Sequence, residues 1–311
     1  MEQAAPIRKR QLAPMNSWRL IRQITDLWTS GDNPVFRRAL THPPPWYRLA
    51  GSLARATALL LPLVGLACFF NMLLIFYSRS LLLVLALPLL SWSLMLGFTL
   101  APIVVEERQD NTWDTLRITP LSLEKIVIGK AAGALWWLRD WVRLFGVLVC
   151  LVAISLSLSS LILTPTTIAA AINDLGIHLV CGLLLLMPFL IAVFYIFDRV
   201  QQFVLMIVSA LIASAATRTL RTALPVAGTA TFIVWVLDAV LGLLVLFVLG
   251  GSPVGTSPDY LVPLLTLGPV VVYLATLPLT TAMAAVVLTL LTREIAVLVL
   301  WRVALRVTRS H

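Results

Sequence analysis

The chain has 311 residues, of which 60% are apolar and 12% charged. Ordinary soluble domains are about 45–50% apolar and about 25% charged, so this composition excludes a disordered chain, a collagen-like fibre and a typical water-soluble enzyme. The net charge is +9, from 23 Lys and Arg against 14 Asp and Glu; its placement between apolar runs points to a membrane, and no nucleic acid is expected.

The first 55 residues are polar and basic. From Ser17 to Trp28, the apolar residues Trp18, Ile21, Ile24, Leu27 and Trp28 recur every three or four positions, with Arg19 and Arg22 off that stripe. This pattern predicts an amphipathic helix lying in the headgroup region, with Arg8, Lys9 and Arg10 touching anionic lipid. Pro43, Pro44 and Pro45 break the chain before the first long apolar run. That run begins near Ala56, too late for a cleavable signal peptide, so the first span is expected to act as its own signal.

Apolar runs follow at 56–78, 80–105, 144–163, 177–197, 226–250 and 268–291. Each is long enough to cross a ~30 Å hydrocarbon core as a helix, and none alternates as a barrel strand does. The expected fold is therefore all-α and polytopic, with about six transmembrane helices. It divides into a basic N-terminal segment 1–55, a membrane domain 56–291 and a basic cytoplasmic tail 292–311. A seventh apolar run, 203–217, is short and has Arg199 before it and Arg218 and Arg221 after it. It is expected to be a re-entrant or surface helix. With six spans and a cytoplasmic N-terminus, 22 of the 23 Lys and Arg lie inside and only Arg79 lies outside. This agrees with the positive-inside rule and puts both termini in the cytoplasm.

The longest polar stretch between spans, 106–143, is where chemistry concentrates. It is expected to extend the second span as a helix through Glu106, Glu107 and Arg108, turn, and restart at Thr119-Pro120. Thr119 or Ser122 would cap the new helix. The string Glu107-Arg108, Asn111-Thr112-Trp113-Asp114, Thr119-Pro120-Leu121-Ser122, Ile126-Val127 and Gly129-Lys130 resembles the cytoplasmic segment of ABC-2 type transporter permeases. Asn33-Pro34-Val35-Phe36 resembles a segment preceding the first span in many members. The close match covers about 25 residues. Asn111 stands where the family has Gly, a mild departure because both residues tolerate a left-handed turn.

The resemblance implies a permease subunit of an ATP-binding-cassette exporter. Its partners would be a cytoplasmic ABC-type ATPase subunit, a second permease chain and membrane lipids. It implies that Glu106, Glu107 and Arg108 are coupling charges near the membrane face. Thr112, Asp114, Thr119, Pro120, Ser122, Glu124 and Lys130 complete the coupling and docking element. ATP and magnesium would be bound by the ATPase, because this chain has no GxxxxGK[ST]. The alternative for the same segment is a solvated loop whose charges fix topology only. For the whole chain, the alternatives are a non-transporting membrane scaffold and a membrane-embedded enzyme using Asp238.

Asp238 lies within the run 226–250. A carboxylate there is costly unless it faces the bundle interior or a wet cavity. Two readings stand: a place on the translocation path or gate, or a carboxyl satisfied by a neighbouring Ser, Thr or carbonyl. Asp198 and Arg199 read as anchors of a helix end at the membrane edge, and Asn71 as a helix–helix hydrogen bond. Cys68, Cys150 and Cys181 read as small buried hydrophobes. His42, His178 and His311 are scattered. No metal, cofactor or catalytic constellation is expected: HExxH and GxSxG are absent, and Arg108 and Arg117 offset the acidic run Glu106, Glu107, Asp110 and Asp114. In the outer loop 251–267, a short re-entrant helix before the last span would follow from the family resemblance; a plain turn is the alternative.

Overall fold

The computed structural model describes residues 15–41, 92–163, 177–250, 264, 268–277 and 279–310. The expected first span at 56–78, the start of the second, Arg8 to Arg10, Asn71 and the two outer loops, apart from Leu264, lie outside the described residues. The described residues are helical, with no strand among them.

Helix α1, Ser17–Ser30, begins where the Asn16 side chain accepts the Arg19 N–H at 2.8 Å and ends at Gly31, left-handed at φ 63°. Its inner face is Leu20 and Ile24, with Ile21, Leu27 and Trp28 beside them. Trp18, expected on that face, is 47% exposed and packs edge-on against Phe197. Thus α1 lies against protein as well as presenting a polar face.

Helix α2, Pro34–Thr41, follows directly. Asn33 accepts the Val35 N–H at 2.9 Å and Pro34 needs no partner for its missing donor. The Asn33 amide also donates to the Lys125 carbonyl at 3.0 Å. This seats α2 on a later helix, α6 (Leu123–Trp137). The contact is close because α6 offers glycine: a Cβ on Gly133 would lie 2.4 Å from that of Ala39, and one on Gly129 2.7 Å from the Asn33 amide nitrogen. The Trp28 indole clamps α1 to the same helix through the Ala132 carbonyl at 3.0 Å.

Residues 92–100 form α3 and, past Ala101, Pro102–Gln109 forms α4. The break falls at Pro102, which has no N–H to donate. Ser214 fills in, donating to the Ala101 carbonyl at 2.6 Å and accepting the Val104 N–H at 3.1 Å. A tight turn leads to α5, Trp113–Arg117, and a second to α6. Helix α7, Arg139–Leu163, continues after Leu138 alone.

Helix α8, Ile177–Ala216, is an unbroken 40-residue rod. At 1.5 Å per residue it is roughly 60 Å long. It packs against α1, α4, α7 and the three helices that follow. These are α9, Leu220–Gly250; α10, Pro269–Thr276; and α11, Leu279–Ser310. Where α3 crosses α9, Gly97 and Gly228 admit Thr231 and Phe98. Small residues at such crossings let backbones approach.

Among the described residues three helices are long and apolar enough to cross a membrane: Phe189–Ala216, Leu220–Leu249 and Thr280–Arg309. Their lengths, 28 to 30 residues, exceed the roughly 20 that a bilayer core requires.

Three expectations are corrected. The run 203–217 is not a separate re-entrant or surface helix but the C-terminal part of α8, with Val204, Ile207, Val208 and Leu211 buried in the core. The basic segment 292–311 continues α11 as far as Ser310 and buries Val297, Trp301, Ala304 and Leu305. The apolar run 268–291 is two helices, parted at Leu277, whose extended backbone is the conformation favoured before a proline, here Pro278. Cys150 is exposed rather than buried.

The glycine contacts make a test. Gly133→Leu drives a side chain into Ala39 and is expected to cost about 1–3 kcal/mol, as overpacking does. Gly146→Ala meets nothing within 4 Å and is expected to stabilise α7 by about 0.5–1 kcal/mol. Thermal unfolding of both variants in detergent checks the contrast.

Candidate functional site

Two places gather polar chemistry. The first is the string Glu106 to Lys130. Helix α4 ends as Asp110 and Thr112 donate backbone N–H groups to the Glu106 and Glu107 carbonyls. Asn111 turns left-handed at φ 56°, the conformation that Asn tolerates best after Gly. The reversal brings Thr112 back to Glu107, whose carboxylate accepts from the Thr112 hydroxyl and from the Lys130 ammonium on α6. Glu107 is buried. Burial works to raise its carboxyl, but the hydrogen bonds from Lys130 and Thr112 and the charges of Lys130 and Arg38 outweigh that and hold it below the usual carboxylate range. Burial pushes the Lys130 ammonium down, with Glu107 pulling against it.

Arg108 points the other way. Its guanidinium donates to the Ala215 carbonyl at 2.7 Å and the Thr217 carbonyl at 3.5 Å. A cation at the C-terminal end of α8 also meets the negative end of that helix's dipole. The Thr119 hydroxyl donates to the Leu116 carbonyl at 2.6 Å, and it is Ser122 that caps α6, accepting the Lys125 N–H at 3.4 Å. Glu106, Asp114, Pro120 and Ser122 are exposed and Glu124 is half-buried. A groove of about 530 Å³ runs between α1–α2 and the start of α6. Asp26, Asp32 and Glu124 line it, with Arg19 and Lys125.

The second place surrounds Asp238. Arg293 on α11 grips its carboxylate with two hydrogen bonds, Nε to Oδ1 and Nη2 to Oδ2, each 2.7 Å. The remaining Arg293 nitrogen donates to Asp198 on α8, to Oδ1 at 2.5 Å and to the backbone carbonyl at 3.1 Å. Gln202 donates to Asp238 at 3.2 Å and accepts from Arg199 at 2.7 Å. Arg199 lies 2.9 Å from Asp198 Oδ2 and stacks over the Tyr195 ring at 5.4 Å. Gly268 closes the cluster. A Cβ there would lie 1.6 Å from Arg199 Nη2, and its φ of 85° is one that side chains rarely adopt. Next to the cluster, Glu294 accepts from Gln201 at 2.9 Å and from the Ser17 N–H at 3.2 Å, bringing in α1.

Two carboxylates and two guanidiniums thus meet with no formal net charge. Arg199 and Arg293 expose 1% and 2% of their surface. Such a cluster is tolerable in an apolar bundle because each charge has an opposite neighbour.

Asp238 is therefore not a lone carboxylate. Sequence reasoning placed Asp198 and Arg199 at a helix end and Arg293 in the tail, and so missed its partners. The available signal was charge interrupting otherwise unbroken apolar periodicity in three long runs. The structure joins Glu107, Thr112 and Lys130 and ties Arg108 to α8. It brings none of these into contact with Asp238. Among the described residues no group of three His, Cys, Asp or Glu stands together as a metal would need. Compared with protein-family models, curated proteins and solved structures, the chain matches none of them.

Two experiments probe these places. Arg293→Gln leaves Asp238 buried without its cation and is expected to cost about 3–5 kcal/mol. Adding Asp238→Asn removes the orphan charge and recovers much of that, so thermal melts of the single and double variants are expected to be strongly non-additive. For Glu107, a lowered folded-state pKa stabilises when the group is ionised. The stability difference between the protein and Glu107→Gln is expected to be full at neutral pH and to vanish as pH falls through and below the usual carboxylate range. Melts from pH 7 downward measure it.

Proposed function

We propose that this chain is the permease subunit of an ATP-binding-cassette transporter, of the ABC-2 type that its 106–130 string resembles. It would sit multi-pass in the cytoplasmic membrane with both termini inside, and about six spans would line an export path with a second permease chain. The observation that carries this reading is the closure of the motif. Glu107, Thr112 and Lys130, spread over 24 residues of the resemblance, meet in one hydrogen-bonded cluster. A solvated loop that only fixed topology would not need to bury that acid.

The groove beside α6 supports a docking role. Its wall is made by the segment that would act as coupling helix and by the α1–α2 pair, and it carries three carboxylates against two cations. A soluble ATPase would enter there. Arg108 holds the end of α8, so displacement of the segment would pull on the longest helix of the described bundle. Hydrolysis would belong to the ATPase, with ATP and magnesium bound there and no cofactor held by this chain. Asp238 would act within the cluster that joins the three long helices, at or beside the gate.

Affinity purification of the tagged chain in mild detergent tests the reading. A P-loop ATPase is expected at one copy per permease. Glu124→Arg with Ser122→Trp, placed in the groove, is expected to lose it while leaving the protein folded and inserted. A folded, inserted chain that retains no ATPase would overturn the proposal in favour of a non-transporting scaffold.

A further inference from the structure

Arg293 takes the well-aligned hydrogen bonds of both carboxylates, and Arg199 is left short. Its Nη1 has the Gln202 oxygen, and its Nη2 lies beside Asp198 Oδ2 but out of line for a hydrogen bond. Its Nε, fully buried, donates to nothing. A buried guanidinium N–H without an acceptor is costly. On one side of Arg199 lies a void of about 10 Å³, shared with Gln202 and two tryptophans, room for about one water. On the other is a cavity of about 250 Å³ between α1, α7 and α8.

That cavity has apolar walls: Trp28, Val142, Phe145, Ile196 and Phe203. Among the described residues of its lining Arg199 is the charged one. Gly146 and Cys150, one helical turn apart on α7, also line it and are both exposed, so they mark its mouth. Val147 and Ile154, exposed on the same stretch of α7, make the approach apolar. At the level of Arg199, α1 crosses α8 with Trp18 on Phe197 and the Ser17 N–H on Glu294. An amphipathic helix marks the boundary between headgroups and acyl chains.

We propose that this cavity holds the acyl chain of an anionic amphiphile from the bilayer, with a head oxygen accepting from Arg199 Nε. The apolar mouth admits the chain sideways from lipid. The acidic head supplies the hydrogen-bond acceptor that Arg199 Nε lacks. The site is independent of transport and of any ATPase.

Cys150 provides the readout. With Cys68→Ser and Cys181→Ser it is the one remaining thiol of the three in the sequence. The full chain is placed in phosphatidylcholine nanodiscs, and maleimide labelling is timed against laurate, dodecyl phosphate or dodecanol. Both acids are expected to slow labelling, and to do so at concentrations about tenfold lower than dodecanol, the preference given by one charge-assisted hydrogen bond. Arg199→Gln is expected to erase that preference and keep the dodecanol effect. Gly146→Leu, which fills the mouth without disturbing the charge cluster, is expected to remove protection by all three. Acidic lipid retained by the protein purified from its own membrane, and lost in Gly146→Leu, places the source in the bilayer. Equal protection by laurate and dodecanol overturns the anion site, and protection surviving in Gly146→Leu overturns the cavity. Laurate protection with no acidic lipid retained overturns the bilayer source in favour of an amphiphile arriving from elsewhere.

Discussion

Arg293 reaches two aspartates on two other helices, and the bundle is arranged around that fact. In an apolar interior a charge is tolerated only when its partners sit at hydrogen-bonding distance. One guanidinium that chelates Asp238 and also meets the side chain and carbonyl of Asp198 therefore fixes the relative height of α8, α9 and α11. Sliding any of them by one turn, roughly 5.4 Å, would strand a charge. Apolar ridges and grooves alone do not impose such a register, because leucine and valine faces pack acceptably at several offsets. The adjoining residues conform to the cluster: Gln202 bridges Asp238 to Arg199, and Gly268 takes a left-handed backbone because no side chain fits beside the Arg199 guanidinium.

From this cluster α8 runs unbroken to the polar string that opens at the end of α4. Near its end Ser214 repairs the backbone interruption at Pro102, and Arg108 binds the carbonyls of Ala215 and Thr217. Glu107, the residue before Arg108, faces the opposite way and binds α6. Two adjacent side chains of α4 thus fasten a central rod and a peripheral helix. Under the proposed permease function, a push on α6 would reach the charge cluster through rigid elements, with no intervening loop.

The N-terminal helices complete the same unit. Asn33 caps α2 with its oxygen and binds Lys125 with its amide nitrogen, so one side chain forms a helix and also docks it. Gly129 and Gly133 make room for that docking. Gly129 belongs to the string that resembles the ABC-2 segment, where the Gly-Lys pair has two separate jobs. The glycine admits Asn33 and the lysine meets Glu107.

By itself the sequence determined what depends on neighbours a few residues apart. The amphipathic helix at Ser17 with most of its inner face and the restart after Thr119-Pro120 were legible, the cap only as a choice between Thr119 and Ser122, and Asn111 only as a residue that tolerates a left-handed turn. So were the all-helical character and the long apolar runs of α8, α9 and α11. Tertiary structure decided where those runs end and what their charges mean. Asp198-Arg199 and Arg293 look like boundaries along the chain, because an unpaired charge belongs in water or at an interface. Arg293 finds its partners 55 and 95 residues away, and a local pattern carries no information about such pairing. Once paired across three helices, these charges give the chain no reason to leave the bundle: α8 passes through 203–217 without a break, and α11 continues past Arg293 to Ser310.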